Sequence, residues 1–278
     1  MTLDADSILG GLRDMLSDVV IGHGNIEPEL PGPTARGVLW QAAPGRFQLT
    51  APSVARYRVE DGLRLTVEPL CDDSQRVVRF LRMTPLAALL HQRGRLVLHA
   101  AGAACEAGAV LIAGASAAGK SVLLAALLAR GWRLLGDDLA VVDDTSSPRI
   151  HATFGELALW HGAAERLGYE PPNQGRCYLD HTDLLAGAPA PLRAVVMLGE
   201  AQSQAAPPER LAGAAAFRHL SLAAYNNHVA EAVLGALPGM LLSARLADRV
   251  AVYRVQRQAG RWCADELADA VAGMVADG

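Results

Sequence analysis

The sequence predicts an α/β fold, with a strand, loop and helix core over residues 87–278 behind an N-terminal helix and small antiparallel β region over 1–86. Three observations carry that expectation. The apolar run "AVLIAG" leads through a tight loop into "GKSVLLAALLARG", which is rich in helix formers and closes on Gly131. Residues 37–70 break into short segments separated by turn residues. Beyond Gly131, apolar strand-like runs alternate with helix-forming stretches up to the C-terminus.

In chain order, Leu3, Ile8, Leu12, Met15 and Val19 recur at helical spacing and predict a helix over 3–20. "GHGNIEPELPGPTARG" reads as loop, because glycine and proline punctuate it. "GVLWQA", "RFQLTA", "ARYRVE" and "LRLTVEPL" read as hairpin strands, with "EDG" at 60–62 as one turn. "QRVVRFLRMTPLAALLHQRG", 75–94, predicts one helix ending at Gly94. "RLVLHAAGAAC" and "AVLIAG" are strands joined by a turn at Glu106, Ala107 and Gly108; "WRLLGDD" and "LAVVDD" follow the loop and helix as two more. "PLRAVVMLG" and "RVAVYRVQ" are further strands, "AAAFRHLSLAAYNN" and "CADELADAVAGMVAD" helices, and "EAQSQAAPPER" a polar loop.

Composition excludes several function classes. At 278 residues the chain can bury a substantial core, and 51% hydrophobic against 19% charged residues is a globular balance. A net charge of −4 gives no electrostatic reason to expect nucleic acid or an anionic membrane. No apolar run approaches the ~18 residues of a membrane span, and "MTLDADSILGG" lacks the layout of a secretory signal. A soluble, cytoplasmic protein is expected. Cys71, Cys105, Cys177 and Cys263 form no C-x-x-C pair, and no histidines stand at H-x-x-x-H spacing, which disfavours a zinc site or disulfide framework.

"GASAAGKS", Gly114 to Ser121, fits G-x-x-x-x-G-K-[ST] between a strand and a helix. In such a loop, backbone N–H groups and the positive end of the helix face phosphate oxygens, the lysine neutralises charge, and the hydroxyl can ligate Mg²⁺. Gly114, Ala115, Ser116, Ala117, Ala118, Gly119, Lys120, Ser121 and Val122 are the candidate nucleotide-binding residues. Of 25 basic residues, Lys120 is the single lysine, so the chain departs from its arginine habit at the position where a compact ammonium is needed. Ala117 makes the turn less permissive than a glycine would. Asp137 and Asp138 end the strand "WRLLG", where one carboxylate could serve a metal and the other accept a hydroxyl proton. Asp143 and Asp144 are read as a turn.

Residues 98–144 resemble the catalytic core of the HPr kinase/phosphorylase family, a P-loop kinase family related in fold to phosphoenolpyruvate carboxykinase. The shared order is a histidine in a strand, a short turn, G-x-S-x-x-G-K-S, a helix ending in "RG", and a strand ending in "DD". The resemblance implies a P-loop kinase core of the HPr kinase/phosphoenolpyruvate carboxykinase type with a small β-rich N-terminal part, acting with ATP and Mg²⁺. It implies His99 near the transferring phosphate, Asp137 as general base toward a serine hydroxyl, and Asp138 supporting it or the metal. Ser121, Asp138 and Glu156 are the implied metal residues, Glu156 standing in "GELALWHG" where the family carries an E-I-R-G-L-G-like segment. The loop also departs from the family's S-G-x-G-K at Ala117. "VARYRVEDGLRLTVEP", "LAALLHQRGRLVLHA", "LALW" and "VAVYRV" are similar to the branch found with lasso-peptide and other ribosomal-peptide biosynthesis genes. That branch implies a peptide or protein acceptor, and the family admits a homo-oligomer.

Arg176, Arg218, His219, Asn226 and Asn227 are candidates for holding phosphate or acceptor, and equally for a solvated or helix-capping polar cluster. Besides a kinase, two alternatives stand: a noncatalytic nucleotide-dependent module that recruits a peptide or protein, and a simple ATPase.

Overall fold

A computed structural model describes residues 8–143, 145–170, 174–201 and 206–276. It shows a mixed α/β chain in two compact units, Met1–Val97 with Ala224–Leu242, and Leu98–Ala223 with Ser243–Gly278. Among the described residues no helix is long and apolar enough to cross a membrane.

In the first unit, β1 (Val20–His23), β2 (Ala35–Arg36), β3 (Trp40–Ala43), β4 (Arg46–Ala51), β5 (Ala55–Glu60) and β6 (Arg64–Pro69) form one sheet in the order β1-β6-β5-β4-β3-β2. The expected hairpin segments are its antiparallel body. In β5, Ala55, Tyr57 and Val59 are buried while Arg56, Arg58 and Glu60 lie closer to water, the period of a sheet with one covered face. Asp61 and Gly62 both take positive φ in the β5–β6 turn, as an Asp-Gly hairpin requires.

Two helix expectations are corrected. Of the helix expected over 3–20, residues 3–7 lie outside the described residues. Past Ile8 and Leu9 the chain tightens into a short 3₁₀ turn at Gly10–Leu12, and β1 begins at Val20. The Gly10-Gly11 pair is a poor helix former, and the β-branched run Val19-Val20-Ile21 suits a strand. The single helix expected over 75–94 is two, α1 (Ser74–Leu81) and α2 (Thr84–Gln92). Asp73 caps α1 by accepting from Arg76 N, and Pro85 occupies the first turn of α2. A continuous helix would drive the Pro85 ring into the carbonyl four residues back, so the chain breaks before it. After α2, β7 (Leu96–Leu98) carries the chain out of this unit.

The second unit positions the loop and the acids. Its sheet is built on β8 (Ala100–Cys105) and β9 (Gly108–Gly114), an antiparallel hairpin closed at Glu106 and Ala107. The loop follows β9 and leads into α3 (Lys120–Leu128); β10 (Arg133–Gly136) then returns antiparallel to β8. Next come β11 (Ala140–Val142), β12 (Arg149–His151), β13 (Glu156–Trp160), α4 (His161–Arg166) and β14 (Arg176–Asp180), with β13 and β14 pairing as a separate two-stranded sheet. The long β15 (Ala190–Ala201) runs parallel to β9. Beyond β16 (Glu209–Leu211) and α5 (Gly213–Leu222), the chain visits the first unit through α6 (Asn227–Leu234) and the start of α7 (Ala236–Arg249). It ends in β17 (Ala251–Gln258), parallel to β15, and α8 (Ala264–Ala276).

β9 is buried from Gly108 to Ala113, the run expected of a strand covered on both faces. Leu123, Leu124 and Leu127 of α3 pack in one cluster with Val110 and Ile112 of β9, Val196 of β15 and Val271 and Val275 of α8. The strand's last residue is a glycine because its partner is close. Gly114 pairs with Leu198, and a Cβ there would lie 2.2 Å from the Leu198 carbonyl oxygen. Gly114→Ala is expected to cost about 3 kcal/mol through that overpacking, read as a lowered urea midpoint with unchanged slope.

Candidate active site

The chemistry-bearing residues meet because β8 is antiparallel to both of its neighbours. Ala100 at the start of β8 lies opposite Ala113 near the end of β9, and Gly102 lies opposite Gly136 at the end of β10. His99 before β8, the loop after β9 and the acids after β10 therefore emerge at the same end of the sheet.

Loop residues Ala115, Ser116 and Ala117 are exposed, Ala118 is buried and Gly119 half-buried. Ala117 is held at φ +63°, the left-handed region that costs an L-residue with a Cβ. Gly119, at φ +103°, is the N-cap of α3 and supplies no capping side chain, leaving the first N–H groups of the helix for another acceptor. Lys120, the first helical residue, is buried, and its Nζ donates back to the carbonyls of Gly114 at 3.1 Å and Ala115 at 3.3 Å. Burial lowers its pKa, while the Asp138 and Asp137 carboxylates oppose the shift. Val122 follows Ser121 in the same first turn.

Ser121 Oγ donates to Asp137 Oδ1 at 3.0 Å, and the Ala158 N–H of β13 donates to Asp137 Oδ2 at 3.0 Å. Asp138 turns the other way, at φ +71°. Its Oδ1 lies 3.4 Å from His99 Nε2, and its Oδ2 accepts from Arg176 Nη2 at 2.6 Å. The two neighbours are thereby made unlike. Burial first, and the Asp138 charge second, push the Asp137 carboxyl up to about 6, against the pull of the Ala158 and Ser121 hydrogen bonds. The His99 hydrogen bond first, then the Arg176 guanidinium, hold Asp138 at about 2.

Other expected residues fall in several places. Glu156 begins β13 opposite Asp180, on the same strand face as Ala158. Arg176 joins the acids, and its guanidinium lies 5.9 Å from the Tyr178 ring centroid. Arg218, exposed, and His219 lie on α5. Asn226 donates to Thr84 Oγ1 and Asn227 to Glu231 Oε1, both within the first unit. Asp143 faces His151 Nε2 at 3.2 Å; Asp144 lies outside the described residues.

Sequence reasoning passed over two further residues. Arg257 donates from Nε to the loop carbonyl of Ala118 at 2.8 Å and pairs with Glu200. The available signal was a basic residue just past the strand run "RVAVYRVQ". Among the described residues, no group of three or more His, Cys, Asp or Glu is arranged to hold a metal ion. The hard oxygens of Ser121 and the acidic pair are the donor type that Mg²⁺ takes alongside phosphate oxygens.

No protein-family model matches the chain, and no curated protein matches it. The chain is similar to a solved structure described as the HPr(Ser) kinase/phosphatase from Coxiella burnetii, at 14% identity and a TM-score of 0.35, covering 65% of this chain and 94% of that one. Likeness at this level assigns no activity.

The left-handed alanine makes a direct prediction. Ala117→Gly removes the Cβ strain, and thermal or urea unfolding should show a gain of about 1 kcal/mol after the added flexibility of the unfolded chain is subtracted.

Proposed function

We propose that this chain is an ATP-dependent kinase that transfers the γ-phosphoryl group to a hydroxyl, that of a serine in a peptide or protein. The observation that carries the reading is the contact between the loop hydroxyl, Ser121, and Asp137, a carboxyl pushed up to about 6. A base with a pKa near the working pH can accept a proton and later release it. Asp137 takes the proton of the acceptor hydroxyl, Lys120 compensates phosphate charge, and the loop N–H groups with the α3 N-terminus orient the phosphates. Asp138, held at about 2, remains ionised, as a metal ligand must, and fixes His99 and Arg176 beside the transferring group. Ser121, Asp138 and Glu156 are the residues that would hold Mg²⁺, which when bound supplies positive charge to the β and γ phosphates.

A polypeptide acceptor is supported by the surface next to the acids. The strand period places Ala158 and Trp160 of β13 on one face with Arg176 and Tyr178 of β14, and Trp160 is 63% exposed. The two-stranded sheet meets the acids through the Ala158 N–H and through Arg176, and the aromatics of this face offer apolar area to side chains flanking the hydroxyl. A ribosomally made precursor peptide, such as that of a lasso peptide, is the acceptor we favour, on the likeness of the flanking segments to that branch. An ATP-using enzyme of this kind would work in the cytoplasm.

The test is to incubate the protein with Mg-ATP and serine-containing peptides and to look for the mass gain of one phosphate. Asp137→Asn should slow transfer about 10²- to 10⁴-fold while ATP still binds. A noncatalytic module would keep partner binding in that variant, and a simple ATPase would release phosphate with no acceptor. In the wild-type enzyme, kcat/KM should fall about tenfold per pH unit below about 6, as Asp137 takes up its proton and ceases to be a base; a profile flat from pH 5 to about 8 would assign the proton to another group.

A further inference from the structure

Among the described residues, two cations donate to carbonyls of the loop, Lys120 of its motif and Arg257 from outside it. Lys120 Nζ reaches the carbonyls of Gly114 and Ala115 from inside the loop. Arg257 reaches the carbonyl of Ala118 from β17, with Nε at 2.8 Å, and its guanidinium is tethered to Glu200, its register partner on β15. The Arg257 side chain is 20% exposed, so this is a partly buried strut and not a solvated surface charge.

We propose that Arg257 is a positioning residue for the nucleotide phosphates, acting through the Ala118–Gly119 peptide. This rests on the reading of "GASAAGKS" as a phosphate loop. A trans peptide is planar, so its C=O and N–H point in opposite directions. Fixing the Ala118 carbonyl on Arg257 fixes the Gly119 N–H facing away from β17, into the loop that closes over the N-terminus of α3. A peptide left free to rotate would present its carbonyl dipole to an anion in most of its population, and affinity would fall to the small fraction that keeps the N–H turned inward. Gly119 permits such a rotation: it stands at φ +103°, and the nearest atoms to its Cβ position, in the Arg257 side chain and at Leu198 Cδ2, are 3.7 Å or more away.

The strut also accounts for the alanine. Ala117 sits in the left-handed region immediately before the anchored peptide. A charge-assisted hydrogen bond to the next carbonyl offsets a strain of that size. Glu200 keeps Arg257 on the carbonyl by neutralising the guanidinium and holding its Nη2, so the pair works as one unit across adjacent parallel strands.

The experiment uses the full chain and measures Mg-ATP binding by calorimetry at about 1 M NaCl, where the Debye length is about 3 Å and distant charges contribute little. Arg257→Ala should weaken binding about 10- to 100-fold. Arg257→Lys should recover part of the loss, because an ammonium can still donate to the Ala118 carbonyl. Glu200→Gln should weaken binding in the same direction. In turnover assays the loss should appear in KM for ATP, with kcat within about twofold of wild type, a split that general destabilisation would not produce. Binding by Arg257→Ala equal to wild type overturns the proposal. Tighter binding by Glu200→Gln also overturns it, since that is the signature of an arginine released to grip phosphate directly. If Arg257→Ala does not fold, the other two variants decide. Failure of the wild type to bind Mg-ATP would remove the phosphate-loop reading, and this proposal with it.

Discussion

The hydrogen bond from Ser121 Oγ to Asp137 Oδ1 joins the first turn of α3 to the residues after β10, and the rest of the site is arranged around it. It places a carboxyl next to the hydroxyl that ends the Gly114–Ser121 loop, and it can form only because the sheet brings two strand ends to one edge. Gly114 is part of the same constraint: without a side chain it lets β9 end against the Leu198 carbonyl, which sets where the loop begins. The site is a consequence of strand pairing before it is a matter of side-chain chemistry.

Adjacent identical residues can do different work when their partners differ. Asp137 faces inward to a neutral hydroxyl and a backbone N–H, so burial raises its pKa; Asp138 turns outward to an imidazole and a guanidinium, so it stays ionised. Their partners make the division, Ser121 and the Ala158 N–H for one and His99 and Arg176 for the other, with Asp138 standing at φ +71°. Aspartate accepts that region more readily than most residues. Two consecutive acids thus become one carboxyl of raised and one of lowered proton affinity.

Much of this was legible in the sequence, wherever a local rule applies. The loop follows from glycines, a lysine and a hydroxyl at set spacing, and the β5–β6 hairpin from Asp61-Gly62. Long-range pairing has no such signature. Arg257 lies 139 residues from the carbonyl it holds, and its place just past the strand run "RVAVYRVQ" marks a strand end without naming its partner. Strands β13 and β14 escaped notice because no tight turn joins them and α4 lies between. The return of 224–242 to the first unit follows packing that no periodicity encodes. The corrected helices had local causes that were readable, Pro85 in one and the Gly10-Gly11 pair in the other, but helix-forming composition outweighed them.

The proposed chemistry requires unlike proton affinities in the two acids. Its most direct measurement is a carbon-13 NMR titration of the Asp137 side-chain carboxyl, in the wild type and in Asp138→Asn. We predict a wild-type midpoint at about 6 that moves downward when the neighbouring charge is removed. A wild-type midpoint at the ordinary aspartate value of about 4, unmoved by Asp138→Asn, would contradict it.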